Sequence, residues 1–319
     1  MFRWAVCGLG KISHRWVKAA NSLPGSTVVA AVSSSKKRAE IYQQKYAMDY
    51  ALTYDELAMN ATLVDAVYVC TNMSDHKRVV ELFLNAGIPV LCEKSFALNG
   101  DEARSMIDCA RQKNILLMEA MWSRVLPANR LVEKMMREKK YGAIQHTTGY
   151  FKAGWGHGRK SRVWRHDVGG GSVLDLAVYL VHYTQMLRGK PVTISAQGKL
   201  KDGVDRYCDF VFEYPIGASS ELHSSLEFPA LRECYRIFCE KGEVIVPSFY
   251  GARKVIEKPY DGKKTVTRFP KVDGFTYEIG HFMELVLHGK KESDIVPLST
   301  TLEVMDLLQE INRRIGVVF

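Results

Sequence analysis

Two residues four apart, Asp175 and Tyr179 in GGGSVLDLAVYLVHY, give the first sign of chemistry. On a helix they project from one face, about one turn from each other. A phenol is a poor acid or base at neutral pH, with a reference pKa of about 10. An ammonium group beside it would stabilise the phenolate and lower that value. A candidate stands in VLCEKSFALN, where an apolar run ends in Glu93 and Lys94. Open parallel sheets collect ligands at the carboxyl ends of their strands, so a lysine delivered there is well placed to act. Glu93 reads as a structural or cofactor-pocket acid, and His182, three residues past Tyr179, as structural.

Such residues need a scaffold. The chain has 319 residues, more than one core usually serves, and 47% apolar with 25% charged content is ordinary for a globular enzyme. Residues 3–121 alternate short apolar runs (Trp4–Cys7, Thr27–Val32, Ala66–Cys70, Pro89–Cys92, Ile115–Met118) with amphipathic helical patterns. Strands apolar on both sides and separated by helices imply a doubly wound parallel sheet of the Rossmann type. Beyond residue 122 the pattern changes. Helices near 129–138 and 172–187 accompany strands with period-two alternation near 144–151, 192–199, 207–214, 219–225 and 234–239. The expectation is an α/β chain: a nucleotide-binding domain over 1–121, then an α+β domain over 122–319 with a large, mostly antiparallel open sheet. A final helix near 302–315 reads as opening on a capping box, Thr300 with Glu303, and ending at Gly316. It could pack back on the first domain.

The stretch WAVCGLGKIS is strand, tight turn, helix. Gly8 suits the turn, and Gly10 lets the main chain approach a pyrophosphate at the helix start, beside Lys11 and Ile12. Ser13 stands where the fingerprint's third small residue belongs. The second strand runs into Ser33, Ser34 and Ser35, then Lys36, Lys37 and Arg38, with no acid. An acid at that tip holds the ribose of NAD and repels a 2′-phosphate; hydroxyls and cations favour NADP.

The stretch VYVCTNMSDHKRVVELFLNAGIPVLCEKSFALN resembles the signature of the Gfo/Idh/MocA oxidoreductase family. That pattern has a Thr-Pro-Asn-like turn (here Thr71-Asn72-Met73), a following histidine (His76), then AG, a strand and EKP. LMEAMWSRVLPA, GGGSVLDLAVY and YEIGHFMELVLHGKKES also match in order and spacing, so the resemblance covers essentially the whole chain. Most members carry histidine where this chain has Tyr179. The resemblance implies that Lys94 and Tyr179 flank the reacting carbon while Asp175 orients substrate. It implies a helix-start role for His76 near the nicotinamide. Thr71, Asn72, Trp122, Arg162 and Trp164 become cofactor-pocket candidates, Trp122 and Phe151 substrate-wall candidates, and Arg124 a cleft-edge residue. The implied activity is hydride transfer between NADP and a secondary alcohol or carbonyl of a sugar, a deoxyosone or a trans-dihydrodiol. The implied assembly is a homodimer through the second domain's sheet. Ser95 departs from the pattern, which has proline there. A cis bond costs roughly 2.5–4 kcal/mol before serine against about 0.5–1 before proline, so either the Lys94–Ser95 peptide is trans or the fold tolerates the geometry.

Other classes fit less well. Net charge is +9, but Lys and Arg are dispersed rather than striped, so nucleic acid is not an expected partner. No run approaches the roughly 18 apolar residues of a membrane span. The N-terminus MFRWAVCGLG enters a strand directly rather than reading as a signal peptide, which makes cytoplasmic residence the expectation. Seven cysteines without CxxC pairs read as reduced structural thiols, and nine histidines without HxH or HExxH spacing give no metal site. Two alternatives remain: an NAD-dependent glycoside hydrolase of the same fold, which the basic second-strand tip disfavours, and a non-catalytic NADP sensor, which the Lys94, Asp175 and Tyr179 set disfavours.

Overall fold

Six short strands form the first sheet: β1 (Phe2–Cys7), β2 (Ser26–Val32), β3 (Tyr50–Leu52), β4 (Ala66–Val69), β5 (Val90–Glu93) and β6 (Leu117–Ala120). The structure is a computed structural model and describes residues 1–154, 158 and 161–319. The strand order is β3-β2-β1-β4-β5-β6, with every neighbouring pair parallel. Every residue of β4, β5 and β6 is buried, which explains their unbroken apolar runs: helices cover both faces. The order reverses beside β1, so the ends of β1 and β4 form the switch point where such sheets bind ligands.

The structure groups residues 1–121 with 273–302, and residues 122–272 with 303–319. Helix Gly274–Leu287 thus belongs to the first unit, where Phe282 packs on Trp4 and Arg15 meets Asp273 at 2.8 Å. On this helix Glu278 is fully buried, and neither of its carboxylate oxygens has a hydrogen bond. Burial first, then the charges of Glu93 and Glu119, hold its carboxyl well above the usual range. The folded chain therefore binds this proton more tightly than the unfolded chain does. Its stabilising effect is complete below about pH 4 and is lost as pH rises toward the folded value. We expect Glu278→Gln to lose less melting temperature than the parent between pH 5 and pH 8. An unchanged slope in thermal melts would refute this.

In the second unit eight strands form one sheet: β7 (Ile144–Lys152), β8 (Thr193–Lys201), β9 (Val204–Glu213), β10 (Ser219–Ser225), β11 (Arg232–Cys239), β12 (Gly242–Pro247), β13 (Lys254–Pro259) and β14 (Thr265–Arg268). Their order is β14-β13-β12-β11-β7-β10-β9-β8, and only β7 with β10 runs parallel. Helix Pro127–Arg137 and the helical segment 173–188 pack with this sheet.

Three sequence expectations need correction. β3 was missed: it is a three-residue edge strand with no buried position. The last strand of the first sheet is Leu117–Ala120 rather than 115–118, because Asn114 closes the preceding helix in the left-handed conformation and Ile115 N–H bonds back to Ala110. The final helix spans Leu298–Arg314, so Thr300 and Glu303 lie inside it and form no capping box. Its start is instead satisfied by Glu292, whose Oε1 accepts from the Leu298 N–H at 2.7 Å. Gly316, with φ +83°, does end it.

Candidate active site

The glycine turn is built twice over for glycine at position 8. Gly8 has φ +98°, and a Cβ there would stand 2.5 Å from the backbone of Cys70 and Thr71 at the end of β4. Gly10 is different: nothing lies within 4 Å of where its Cβ would be. It is the N-cap of helix Lys11–Ser22, which has no side-chain cap and no acid in its first turn. Ser13 is buried, donates to the Gly10 carbonyl at 2.6 Å and accepts from Tyr42 at 2.8 Å. Lys11 and Ile12 are exposed beside it. An open cradle at an uncapped helix start, next to a lysine, fits the pyrophosphate of a dinucleotide.

At the β2 tip Ser33 is buried and its Oγ accepts from the Ser35 N–H at 3.3 Å. Ser35 caps helix Lys36–Tyr46. Lys36 is committed to Glu56 at 2.7 Å. Ser34, Lys37 and Arg38 are exposed, and Arg38 forms no ion pair among the described residues.

Thr71 and Asn72 lead into helix Met73–Asn85 at the β4 end. His76 is buried beneath the next loop, its Nδ1 bonded to the Phe96 carbonyl at 3.2 Å. Glu93 is also buried: Oε1 accepts from Tyr68 at 2.5 Å, and Oε2 accepts from the Lys94 N–H at 3.0 Å. Tyr68 is in turn stacked on Trp16 at 4.2 Å. Lys94 stands half-buried at the carboxyl end of β5, and the Lys94–Ser95 peptide is cis.

The second unit holds Asp175 and Tyr179 on one helical segment, but not on a regular α-helix. Val173–Ala177 forms a π-helical turn that passes into α-helix Val178–Arg188. Such turns concentrate at functional sites. Asp175 is buried and accepts from Arg162 at 2.7 Å. Tyr179 lies with its ring 5.7 Å from Phe151 and 5.3 Å from Tyr250. Tyr250 also meets Phe151 at 5.1 Å and Trp122 at 5.3 Å, so four rings cluster. Trp164 lies under the Arg206 guanidinium at 4.2 Å. Arg124 is buried, and its guanidinium donates to the His182 carbonyl and to Gln185.

Sequence reading missed Tyr250. It sits in the short turn Phe249–Gly251, pinned by Asn129 on the Phe249 carbonyl (2.8 Å) and by Glu233 on its own N–H (3.0 Å). Burial pushes the Glu233 carboxyl up to about 8, against the pull of that N–H. No periodicity marks the turn; two adjacent aromatics before a glycine were the only signal. Among the described residues, no cluster of three or more histidine, cysteine or acidic side chains could hold a metal ion, and no helix is long and apolar enough to cross a membrane.

Comparison with known proteins agrees with this architecture. The oxidoreductase family pattern with its NAD-binding Rossmann fold matches residues 2–121, and the GFO/IDH/MocA C-terminal domain matches residues 129–245. Trans-1,2-dihydrobenzene-1,2-diol dehydrogenases of Mus musculus and Homo sapiens are each 31% identical, over 99% of this chain and 98% of theirs. The aldose-aldose oxidoreductase of Caulobacter crescentus shares the fold with TM-score 0.88 at 22% identity, covering 98% of this chain and 97% of that one. The 3-ketoreductase KijD10 of Actinomadura kijaniata, solved with NADP and TDP-benzene, shares it with TM-score 0.88 at 23% identity over 98% of both. An N-terminal dinucleotide-binding sheet, an eight-stranded second sheet and full-length similarity at this level lead to one conclusion: the chain belongs to the Gfo/Idh/MocA oxidoreductase family and is an NAD(P)-dependent dehydrogenase.

Proposed function

We propose that the chain is an NADP-dependent oxidoreductase acting on a secondary alcohol or carbonyl of a sugar, a deoxyosone or a trans-dihydrodiol. The observation that carries the reading is Tyr179, a proton-transfer group set among the rings of Phe151 and Tyr250, with the Arg162-held carboxylate of Asp175 earlier on the same helical segment. Ring faces with few polar groups suit a cyclic polyol, which has apolar faces and hydroxyl edges. The names of the similar dihydrodiol dehydrogenases describe such a substrate.

Bound NADP supplies or accepts the hydride. In oxidation Tyr179 takes the proton of the reacting hydroxyl; in reduction it returns that proton to the new alkoxide oxygen. Lys94 stabilises negative charge on the same oxygen and favours the phenolate of Tyr179. Asp175 accepts from a neighbouring substrate hydroxyl and sets its orientation. Gly8 and Gly10 seat the pyrophosphate, and the rings of Trp122 and Phe151 line the substrate. The second unit's sheet would carry the pairing of two copies.

NADP is preferred over NAD because the β2 tip presents Ser34, Lys37 and Arg38 without a carboxylate. A charge-assisted hydrogen bond contributes about 1.5–3 kcal/mol, or roughly 10–100-fold in affinity. We therefore expect Arg38→Ala to raise the KM for NADP by about that factor and leave the KM for NAD unchanged. The test of the whole reading is a panel of aldoses, osones and dihydrodiols assayed by nicotinamide absorbance with each cofactor. A clear preference for NAD would sink the assignment of the tip. Aryl glycoside cleavage without added cofactor would replace the reaction itself.

A further inference from the structure

We infer that Asp205 is a positioning residue for the reaction, fixing the start of the helical segment that carries Asp175 and Tyr179. The inference rests on the proposed role of Tyr179. Asp205 lies on β9, 32 residues beyond Val173 in sequence, and is only 1% exposed. Its Oδ2 accepts from the Ser172 hydroxyl at 2.6 Å and from the Val173 N–H at 2.9 Å. Ser172 occupies the N-cap position but caps nothing with its own side chain. Its single hydroxyl proton goes to Asp205, so the Ser224 hydroxyl, 2.9 Å away on β10, must donate to Ser172. Ser172 and Ser224 are fully buried.

An acid from a neighbouring strand thus does what an N-cap serine ordinarily does, and places a carboxylate at the positive end of the helical segment. The fit is close. Gly171 has φ +116°, and a Cβ there would stand 2.0 Å from Asp205 Oδ1, so only glycine fits beside this acid. Two further bonds lock the same turn: Gly171 N–H to the Val163 carbonyl at 3.0 Å, and Asp175 N–H to the Gly171 carbonyl at 3.2 Å. The π-helical turn Val173–Ala177 begins at the N–H that Asp205 holds, and its register sets where Asp175 and Tyr179 face. Release of this anchor would let the turn relax toward an ordinary α-helix and rotate both side chains.

The test is a set of variants in the full-length protein, assayed with NADP and the best substrate of the panel. Asp205→Ala should lower kcat about 10²-fold, the effect of misplacing a reacting group by about 1 Å. NADP affinity, read by fluorescence, should not change. Asp205→Asn keeps an oxygen that can accept both hydrogens and should restore turnover close to the parent's. In a Tyr179→Phe background Asp205→Ala should cost less than in the parent, because the part of its effect that acts through Tyr179 is already gone. Parent-like kcat in Asp205→Ala overturns the inference, as does equal loss in both backgrounds. If Asp205→Ala fails to fold, Asp205→Asn decides: turnover well below the parent's at the parent's melting temperature overturns it. Failure of the parent reading shows separately, as parent-like turnover in Tyr179→Phe alone.

Discussion

Tyr179→Phe should lower turnover by about 10²–10⁴-fold, or about 3–5 kcal/mol in the barrier, with NADP binding intact. The size follows from what the change removes and what it leaves. The ring stays, and with it the contacts to Phe151 and Tyr250, so the four-ring cluster keeps its packing. Tyr179 is 8% exposed, and phenylalanine fits the same apolar surroundings. Only the hydroxyl is lost, the group proposed to exchange a proton with the substrate. A structural tyrosine would behave otherwise: its phenylalanine variant would shift the melting temperature and leave kcat near the parent's. Steady-state kinetics beside a thermal melt separate the two. Near-normal kcat in a folded, NADP-binding variant would remove Tyr179 from the mechanism, and with it the argument from the ring cluster.

The contrast between what the sequence shows and what it hides has a physical cause. β1, β4 and β5 were readable because a strand covered on both faces must be apolar throughout, and that signal is local. Lys94 was readable for the same reason, since it ends one of those runs. β3 was not, because an edge strand of three residues needs no buried side chain. Thr300 and Glu303 misled because a capping box needs only the right residues at the right spacing, whereas the cap in use comes from Glu292. The site divides along the same line. Tyr179 and Asp175 share one segment and a familiar spacing. Asp205 reaches them through strand pairing, with β9 beside β10, and Tyr250 through a turn held by Glu233 of β11. The π-helical turn is hidden for the same reason, since Asp205 holds its first N–H from another strand. Sequence reading thus recovers groups that do chemistry more readily than groups that hold them in place.

Lys94→Met should lower kcat by about 10²–10³-fold, the usual cost of removing one preorganised donor to a developing oxyanion. Methionine keeps an unbranched side chain of similar length and loses only the charge. The local backbone should survive, because its anchors lie elsewhere: Glu93 accepts the Lys94 N–H at 3.0 Å and is itself held by Tyr68 at 2.5 Å. His76 bonds the Phe96 carbonyl just beyond at 3.2 Å. A loss of kcat in this variant therefore reports the ammonium group rather than a collapsed loop. The pH profile adds a second readout with a definite sign. If the ammonium favours the phenolate of Tyr179, its removal makes that phenolate harder to form. The rise of turnover in the oxidising direction should then move to higher pH. A lysine that only bound substrate would raise KM and leave both kcat and the profile in place. That outcome would detach Lys94 from Tyr179. An equal loss of kcat when Lys94→Met is added to Tyr179→Phe would do the same, because groups that act on one oxygen would not contribute independently.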